Sequence, residues 1–287
     1  MLRLTSAALL CTALLASCTS SKKPLVVGSK NETEQMLLGE IVAQHLEHRL
    51  GRPVERRLGL GNTAILYQAL LSGEIGIYPE YTGLIESEIL KEPANSDPQI
   101  VLTRVRQEMA RITQVEVLDP LGFDNPSVMV VPSAGMERIA SLSDIVKAGK
   151  RLKLGVSFEF QSRSDGLKAL APYHLPLDSV RAAESKQLFA WLAKGDVDMI
   201  AARATDGRLT PEWKILADDQ KVFPPYQACL LARQDLIAAD PALRPALAEL
   251  SGKLHEDTMR KLNAEVDAAN RPLATVASDF LAQVGLK

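Results

Sequence analysis

The chain has 287 residues, with 33 Lys and Arg against 35 Asp and Glu, a formal net charge of −2 and 46% hydrophobic residues. Charge of both signs is scattered, and the absence of a basic stripe argues against a nucleic-acid partner. Three cysteines are too few for a disulfide framework, so a hydrophobic core has to hold the fold unaided.

Residues 1–17 read as a removable leader. Arg3 supplies a short positive region, and Leu4–Leu15 form an apolar core too short to span a bilayer. The leader ends in Leu15-Ala16-Ser17-Cys18, which resembles the lipobox of bacterial lipoproteins. That resemblance implies cleavage before Cys18, lipidation of its sulfur, and export to the periplasm or the outer face of the cytoplasmic membrane. Residues 18–23 are then a short polar tether. No later segment is apolar enough to cross a membrane. With Cys11 in the leader and Cys18 lipidated, Cys229 is left as a free thiol in the apolar run Ala228-Cys229-Leu230-Leu231. About 270 residues remain, enough for one large or two medium domains.

From Leu25 to about Arg233, strand and helix patterns alternate. Pro24–Gly28 is an apolar strand that runs into a helix start. Asn31 is placed to cap that helix, with Glu34 completing a capping box three residues later. Lys30 therefore sits at a strand end beside the unpaired N–H groups of a helix N-terminus. This is either an anion site or an ordinary turn whose lysine faces water. Leu38, Ile41, Val42 and Leu46 keep helical spacing until Gly51. Val54–Leu60 reads as a strand, Asn62 caps a helix that ends at Gly73, and Ile75–Tyr78 is a short buried strand. Asp97-Pro98 opens another helix. The later strands are Val128–Val131, Leu152–Val156, Val180–Ala183, Val197–Ala201 and Ile215–Ala217. The passage Ala69–Ile77 recurs loosely as Trp191–Met199, each running helix, Gly, acid, strand. From Asp235 the chain is helical, with Asp240-Pro241 starting one helix and Asn270–Pro272 separating the last two. The rhythm predicts an α/β fold with mainly parallel sheets and a helical tail packed on one lobe. Ligands in open α/β sheets sit at the carboxyl ends of strands, where Lys30, Tyr81 and Arg203 all fall.

Catalytic and metal motifs are missing. His45 and His48 lie one helical turn apart, but no carboxylate or cysteine completes a metal set. There is no Gly-x-Ser-x-Gly elbow, no His-Glu-x-x-His and no Walker loop, and no nucleophile stands beside a base. The expectation is a non-enzyme with no cofactor and no bound metal.

Gly28-Ser29-Lys30-Asn31-x-Thr33-Glu34-Gln35 and Tyr78-Pro79-Glu80-Tyr81-Thr82-Gly83 together resemble the osmoprotectant-binding family. These are the substrate-binding proteins of ABC importers for glycine betaine, choline, carnitine and proline betaine. The likeness continues through Gly122-Phe123-Asp124-Asn125, Glu159-Phe160-x-x-Arg163-x-Asp165-Gly166 and Thr205-Asp206-Gly207. It then takes in Asp218-Asp219, Phe223-Pro224-Pro225-Tyr226-Gln227 and Met259-x-x-Leu262-Asn263. It spans essentially the whole exported chain.

The resemblance implies a two-lobed periplasmic-binding-protein fold, type II-like, with ligand trapped between α/β lobes joined by two crossing strands. Lobe one would hold 24–122 plus 228–287, and lobe two 123–227. The expected partners are a small zwitterionic solute and the ABC permease subunits of the inner membrane, with the protein itself a monomer. A sensor of the same fold, or a binder of a non-betaine ligand such as an amino acid derivative, is the alternative. By resemblance, Lys30 and Arg163 take the ligand carboxylate, and Tyr81 and Tyr226 belong to a tyrosine cage around the quaternary ammonium. Ser29 and Asn31 flank Lys30 as weaker candidates. The cage departs from the family pattern at Ser127 and Arg203, which stand where the family has tyrosines, and Leu84 replaces a usual threonine. Two lost ring faces cost about 1–4 kcal/mol, and a second cation about 6 Å away repels an ammonium by roughly 3 kcal/mol. The sequence therefore points to a ligand with a carboxylate at the Lys30/Arg163 end and a more polar or anionic second end.

Overall fold

The computed structural model describes residues 24–287. The leader, Cys18 and the tether lie outside the described residues. The strands are β1 (Leu25–Gly28), β2 (Val54–Arg57), β3 (Ile77–Tyr81), β4 (Val115–Val117), β5 (Ser127–Pro132), β6 (Leu152–Ser157), β7 (Leu177–Ala183), β8 (Met199–Arg203), β9 (Trp213–Leu216) and β10 (Ala228–Arg233). They form two five-stranded sheets of matching pattern, β2-β1-β3-β10-β4 and β7-β6-β8-β5-β9.

Neither sheet is mainly parallel, which corrects the sequence-based expectation. β1 pairs in parallel with β2 and β3, but β10 runs antiparallel to β3 and β4. In the second sheet β6 is parallel to β7 and β8, whereas β5 is antiparallel to β8 and β9. The reversal falls on β5 and β10, the strands entered directly after the chain passes between the sheets. Apolar runs flag such strands as buried but carry no sign of direction.

Both faces of each sheet are covered, so the inner strands are largely apolar on both sides, whereas the edge strands β2 and β7 are not. In the first sheet Val27, Ile77 and Leu230 face the helix Thr33–Leu50 and the tail helices. Tyr78, Cys229 and Leu231 face the helices Thr63–Ser72 and Pro98–Ile112. In the second, Leu154 and Met199 pack with Phe160 and Leu170, while Val130 and Ile200 meet Leu188 and Leu192 of the helix Ser185–Lys194. The recurring passage occupies matching places. Gly73 (φ 79°) and Gly195 (φ 74°) both end a helix in left-handed geometry, and the next strands, β3 and β8, hold the same position in the two sheets.

Several boundaries moved. β2 stops at Arg57 because the chain turns at Gly59 (φ 74°). β3 runs through Pro79 to Tyr81. β1 pairs with it only at Val27↔Ile77, so Pro79 lies where that side of the strand is unpaired and its missing N–H breaks no ladder bond. The capping box at Asn31 does not form. The helix begins at Thr33 with Glu32 in the cap position and no side-chain cap, because Glu34 is buried in other contacts. Asn62 and Asp97 do cap their helices, accepting from Ile65 N and from Gln99 and Ile100 N.

Two segments carry the chain between the sheets, 118–126 and 217–227. They are paired side by side through the bridge Asp124↔Gln227 and through Asn125 N to Tyr226 O (3.1 Å). No helix among the described residues is long and apolar enough to cross a membrane.

Candidate ligand-binding site

A cavity of about 280 Å³ opens between the two sheets. Lys30 and Tyr81 reach it from the ends of β1 and β3 in the first sheet. Ser127, Glu159, Arg163 and Arg203 reach it from the second. Five of the sequence-nominated residues (Lys30, Tyr81, Arg163, Ser127 and Arg203) therefore come together on one wall system, and Leu84 joins them. Tyr226 is 1% exposed and stands behind the wall. Ser29 is also buried away from the cavity, donating to Lys30 O (2.9 Å) and accepting from Gly59 N (3.0 Å), which fixes the turn after β1. Asn31 is exposed and outside the wall.

Two of the site's cations, Lys30 and Arg163, are held by internal acids. Lys30 Nζ donates to Glu80 Oε1 at 2.6 Å in a pair with side chains 3% and 0% exposed. Glu80 Oε1 also accepts from Tyr81 N (2.9 Å), and Lys30 Nζ lies 5.0 Å from the Tyr81 ring centroid. Arg163 forks onto Asp165 (Nε to Oδ1 2.7 Å) and donates to Glu159 Oε1 (2.6 Å) and to the Tyr226 hydroxyl, which in turn donates to Asp165. Burial pushes the Asp165 carboxyl up, opposed first by the Arg163 charge. At Glu159 burial works against ionisation, but Arg203, then Arg163 and Lys30, outweigh it and hold the carboxyl below its usual range.

Glu34 is the residue whose role the sequence concealed. Its carboxylate is buried at the join of the two sheets and accepts from the Tyr81 hydroxyl, Asn125 Nδ2 (2.9 Å), the Thr205 hydroxyl and Asn263 Nδ2 (2.7 Å). Burial raises its pKa, against the pull of those four donors, Thr205 first. Asn263 also donates to Thr205 O (2.9 Å), and Arg260 Nη2 to Ala204 O (2.8 Å), so the tail helix Glu256–Asp267 is tied to the turn after β8. Glu34, Glu80, Asn125, Asp165, Thr205 and Asn263 all lay inside the motifs that carried the family resemblance. The signal was present, but its chemistry depends on partners far away in sequence.

No group of three His, Cys, Asp or Glu among the described residues is placed to hold a metal ion. His45 is a packing residue, its Nε2 2.8 Å from Ala246 O.

Residues 23–283 match the family model described as the substrate binding domain of ABC-type glycine betaine transport systems. The chain belongs to this family. Among relatives of this binding domain, the carnitine transport binding protein OpuCC of Listeria monocytogenes is 31% identical over 279 residues, covering 93% of this chain and 91% of that protein. The ergothioneine transport permease/ergothioneine binding protein EgtU of Helicobacter pylori is 28% identical over 271 residues. That match covers 92% of this chain and 48% of the relative. The crystal structure of a glycine betaine/carnitine/choline ABC transporter protein superposes with a TM-score of 0.83 at 26% identity, covering 91% of this chain and 99% of that one. The chain's structural neighbours are two-lobed binding proteins.

Proposed function

We propose that this binding domain is the extracytoplasmic solute receptor of an ABC importer for a small zwitterionic or carboxylate-bearing solute of the osmoprotectant class. The observation that carries this is the polar cavity between the two sheets, walled by Lys30 and Tyr81 from one and Ser127, Arg163 and Arg203 from the other. Lobes comprising 24–122 plus 228–287 and 123–227 would close on the solute about the two crossing segments. The relatives named for carnitine and ergothioneine transport support import, and the relative that unites permease and binding protein in one name supports a membrane permease as partner. In this reading the chain works as a monomer without turnover, anchored through lipid on Cys18 after loss of residues 1–17.

Titration calorimetry of the purified protein with carnitine, glycine betaine and choline tests the reading. Saturable binding of one solute per chain is expected for at least one carboxylate-bearing compound. Absence of heat with all three, from protein stripped of bound small molecules, would count against the osmoprotectant class. Tyr81 and Tyr226 both carry side-chain cations on or near their rings. This favours a solute held mainly through its oxygen and nitrogen atoms rather than by a free aromatic cage.

A further inference from the structure

Tyr81 and Phe189 at the cavity, and Tyr226 behind its wall, carry the protein's own cations. Lys30 lies over Tyr81 (5.0 Å), Arg208 over Phe189 (4.7 Å), and both Arg163 (5.4 Å) and Arg203 (4.9 Å) over Tyr226. Three of these four cations are fully engaged by acids. Lys30 is paired with Glu80, Arg163 with Asp165 and Glu159, and Arg208 with Asp206 through two bonds of 2.8 and 2.6 Å.

Arg203 differs. Its nearest acid oxygen is Glu159 Oε1 at 3.7 Å, and Glu159 is already committed to Arg163 at 2.6 Å. Among the described residues the Arg203 guanidinium donates no hydrogen bond, although its side chain is only 32% exposed and faces the cavity. A guanidinium carries five N–H donors in a planar fork that fits a carboxylate. Left without an acceptor in a half-enclosed cavity, those donors favour an oxyanion.

The strand register supplies a second donor at the same spot. Ser127 on β5 is the direct antiparallel partner of Arg203 on β8. Directly opposed residues project from the same face with Cβ atoms about 4.5–5.5 Å apart. Both line the cavity, Ser127 is 7% exposed, and among the described residues its hydroxyl has no hydrogen-bond partner. The two positions that depart from the family's tyrosine pattern are thus one cross-strand unit. The small residue at 127 leaves room for the long side chain at 203 to lie across Tyr226.

We propose that Ser127 and Arg203 form the anchor for an acidic oxygen group of the solute, a carboxylate first of all, with Arg203 as the forked cation and Ser127 as the hydroxyl donor. The proposal rests on the solute-receptor reading. It places the acidic end of the ligand at Arg203 rather than at Lys30, whose charge is already met by Glu80 inside the fold. It also gives the class of compound that is refused, an ammonium solute without an acidic group.

Calorimetry with carnitine, glycine betaine and choline on four proteins tests it: wild type, Arg203→Gln, Arg203→Lys and Ser127→Ala. The wild type is expected to bind a carboxylate-bearing compound and not choline. Arg203→Gln is expected to weaken that binding roughly 10- to 100-fold, the worth of a charge-assisted bidentate contact. Arg203→Lys should recover part of the loss by keeping charge without the fork, and Ser127→Ala should cost about 3- to 10-fold. Unfolding midpoints near the wild-type value show that the variants are folded, as expected at Arg203 for a side chain 32% exposed and at Ser127 for loss of a hydroxyl that holds no other group among the described residues. Carboxylate binding unchanged in Arg203→Gln, or choline bound as tightly as carnitine, overturns the anchor and leaves the receptor standing. If the wild type binds none of the three, the small molecule released on denaturing the protein replaces them as probe. One without an acidic oxygen group overturns the anchor, and one with it is titrated against the same variants. If nothing is released either, the receptor reading fails and the anchor falls with it.

Discussion

Lys30 looked like an anion site because it stands beside a helix start, and its position at the cavity wall agrees with that. Its charge, however, is met at 2.6 Å by Glu80, 50 positions along the chain. A lysine buried in that way is first a structural cation. Lys30→Met leaves Glu80 buried without a counter-charge and is expected to destabilise the protein by about 3–5 kcal/mol. Adding Glu80→Gln removes the stranded charge and should restore most of that loss. Denaturant titration of both proteins checks this, and a single mutant as stable as wild type would show the pair to be unimportant to the fold. Glu34 shows why residue roles were only half legible. A local pattern of i and i+3 suggested a helix cap, but three of the donors that hold its carboxylate lie 91, 171 and 229 positions away. Short-range spacing carries no information about such partners, whereas membership in the family motifs did mark the residue.

Asp124 shows the same limit and adds a pH dependence. It sits on the first crossing segment, where its carboxylate accepts from Tyr226 N. Burial, with Glu256 adding a smaller push, raises its pKa from 3.8 to about 6 against the pull of the Asn125 N–H. A carboxyl raised in the folded state favours folding below the unfolded pKa, and that contribution is lost as pH rises through about 6. Asp124→Asn cannot ionise, so its stability relative to wild type should improve by on the order of 2 kcal/mol between pH 4 and pH 7.5. Unfolding midpoints at the two pH values measure it. A constant difference would mean that Asp124 does not titrate in this range.

Elements were more legible than their ends or directions. Helix stops at Gly51, Gly73 and Gly195 followed from glycine taking the left-handed cap. The internal echo correctly paired the helices that precede β3 and β8. Strand direction was not legible, because β5 and β10 owe their antiparallel pairing to the route between the sheets rather than to their own residues. One close approach of elements is testable. A Cβ at Gly207 would lie 2.4 Å from Ala264 N and 2.8 Å from Asn263 C, both in the tail helix Glu256–Asp267. Gly207→Ala must push that helix from the turn after β8 and strain the Arg260 and Asn263 bonds to Ala204 and Thr205. The expected result is a loss of about 1–3 kcal/mol in stability together with weaker solute binding. Thermal unfolding and carnitine titration of the variant check both, and wild-type values in each would show that the contact is dispensable.

At the scale of the whole molecule, the two sheets share one strand pattern, are bridged by paired crossing segments and are tied across the cleft by Glu34, Thr205 and Asn263. These bonds hold the two sheets together at their join, with the carboxylate of Glu34 meeting donors from both. The fold class and the family were readable from the sequence because the motifs recur in order along the chain. The ligand's second end was not, because it depends on how Ser127 and Arg203 face each other across β5 and β8. That this cleft holds a small solute is open to direct test. Native mass spectrometry of the protein purified from cells grown at high osmolarity tests it most directly. One small-molecule adduct per chain is expected, either as isolated or on addition of carnitine or glycine betaine, and it should disappear on denaturation. A spectrum that shows only the bare protein under all of these conditions would contradict the account.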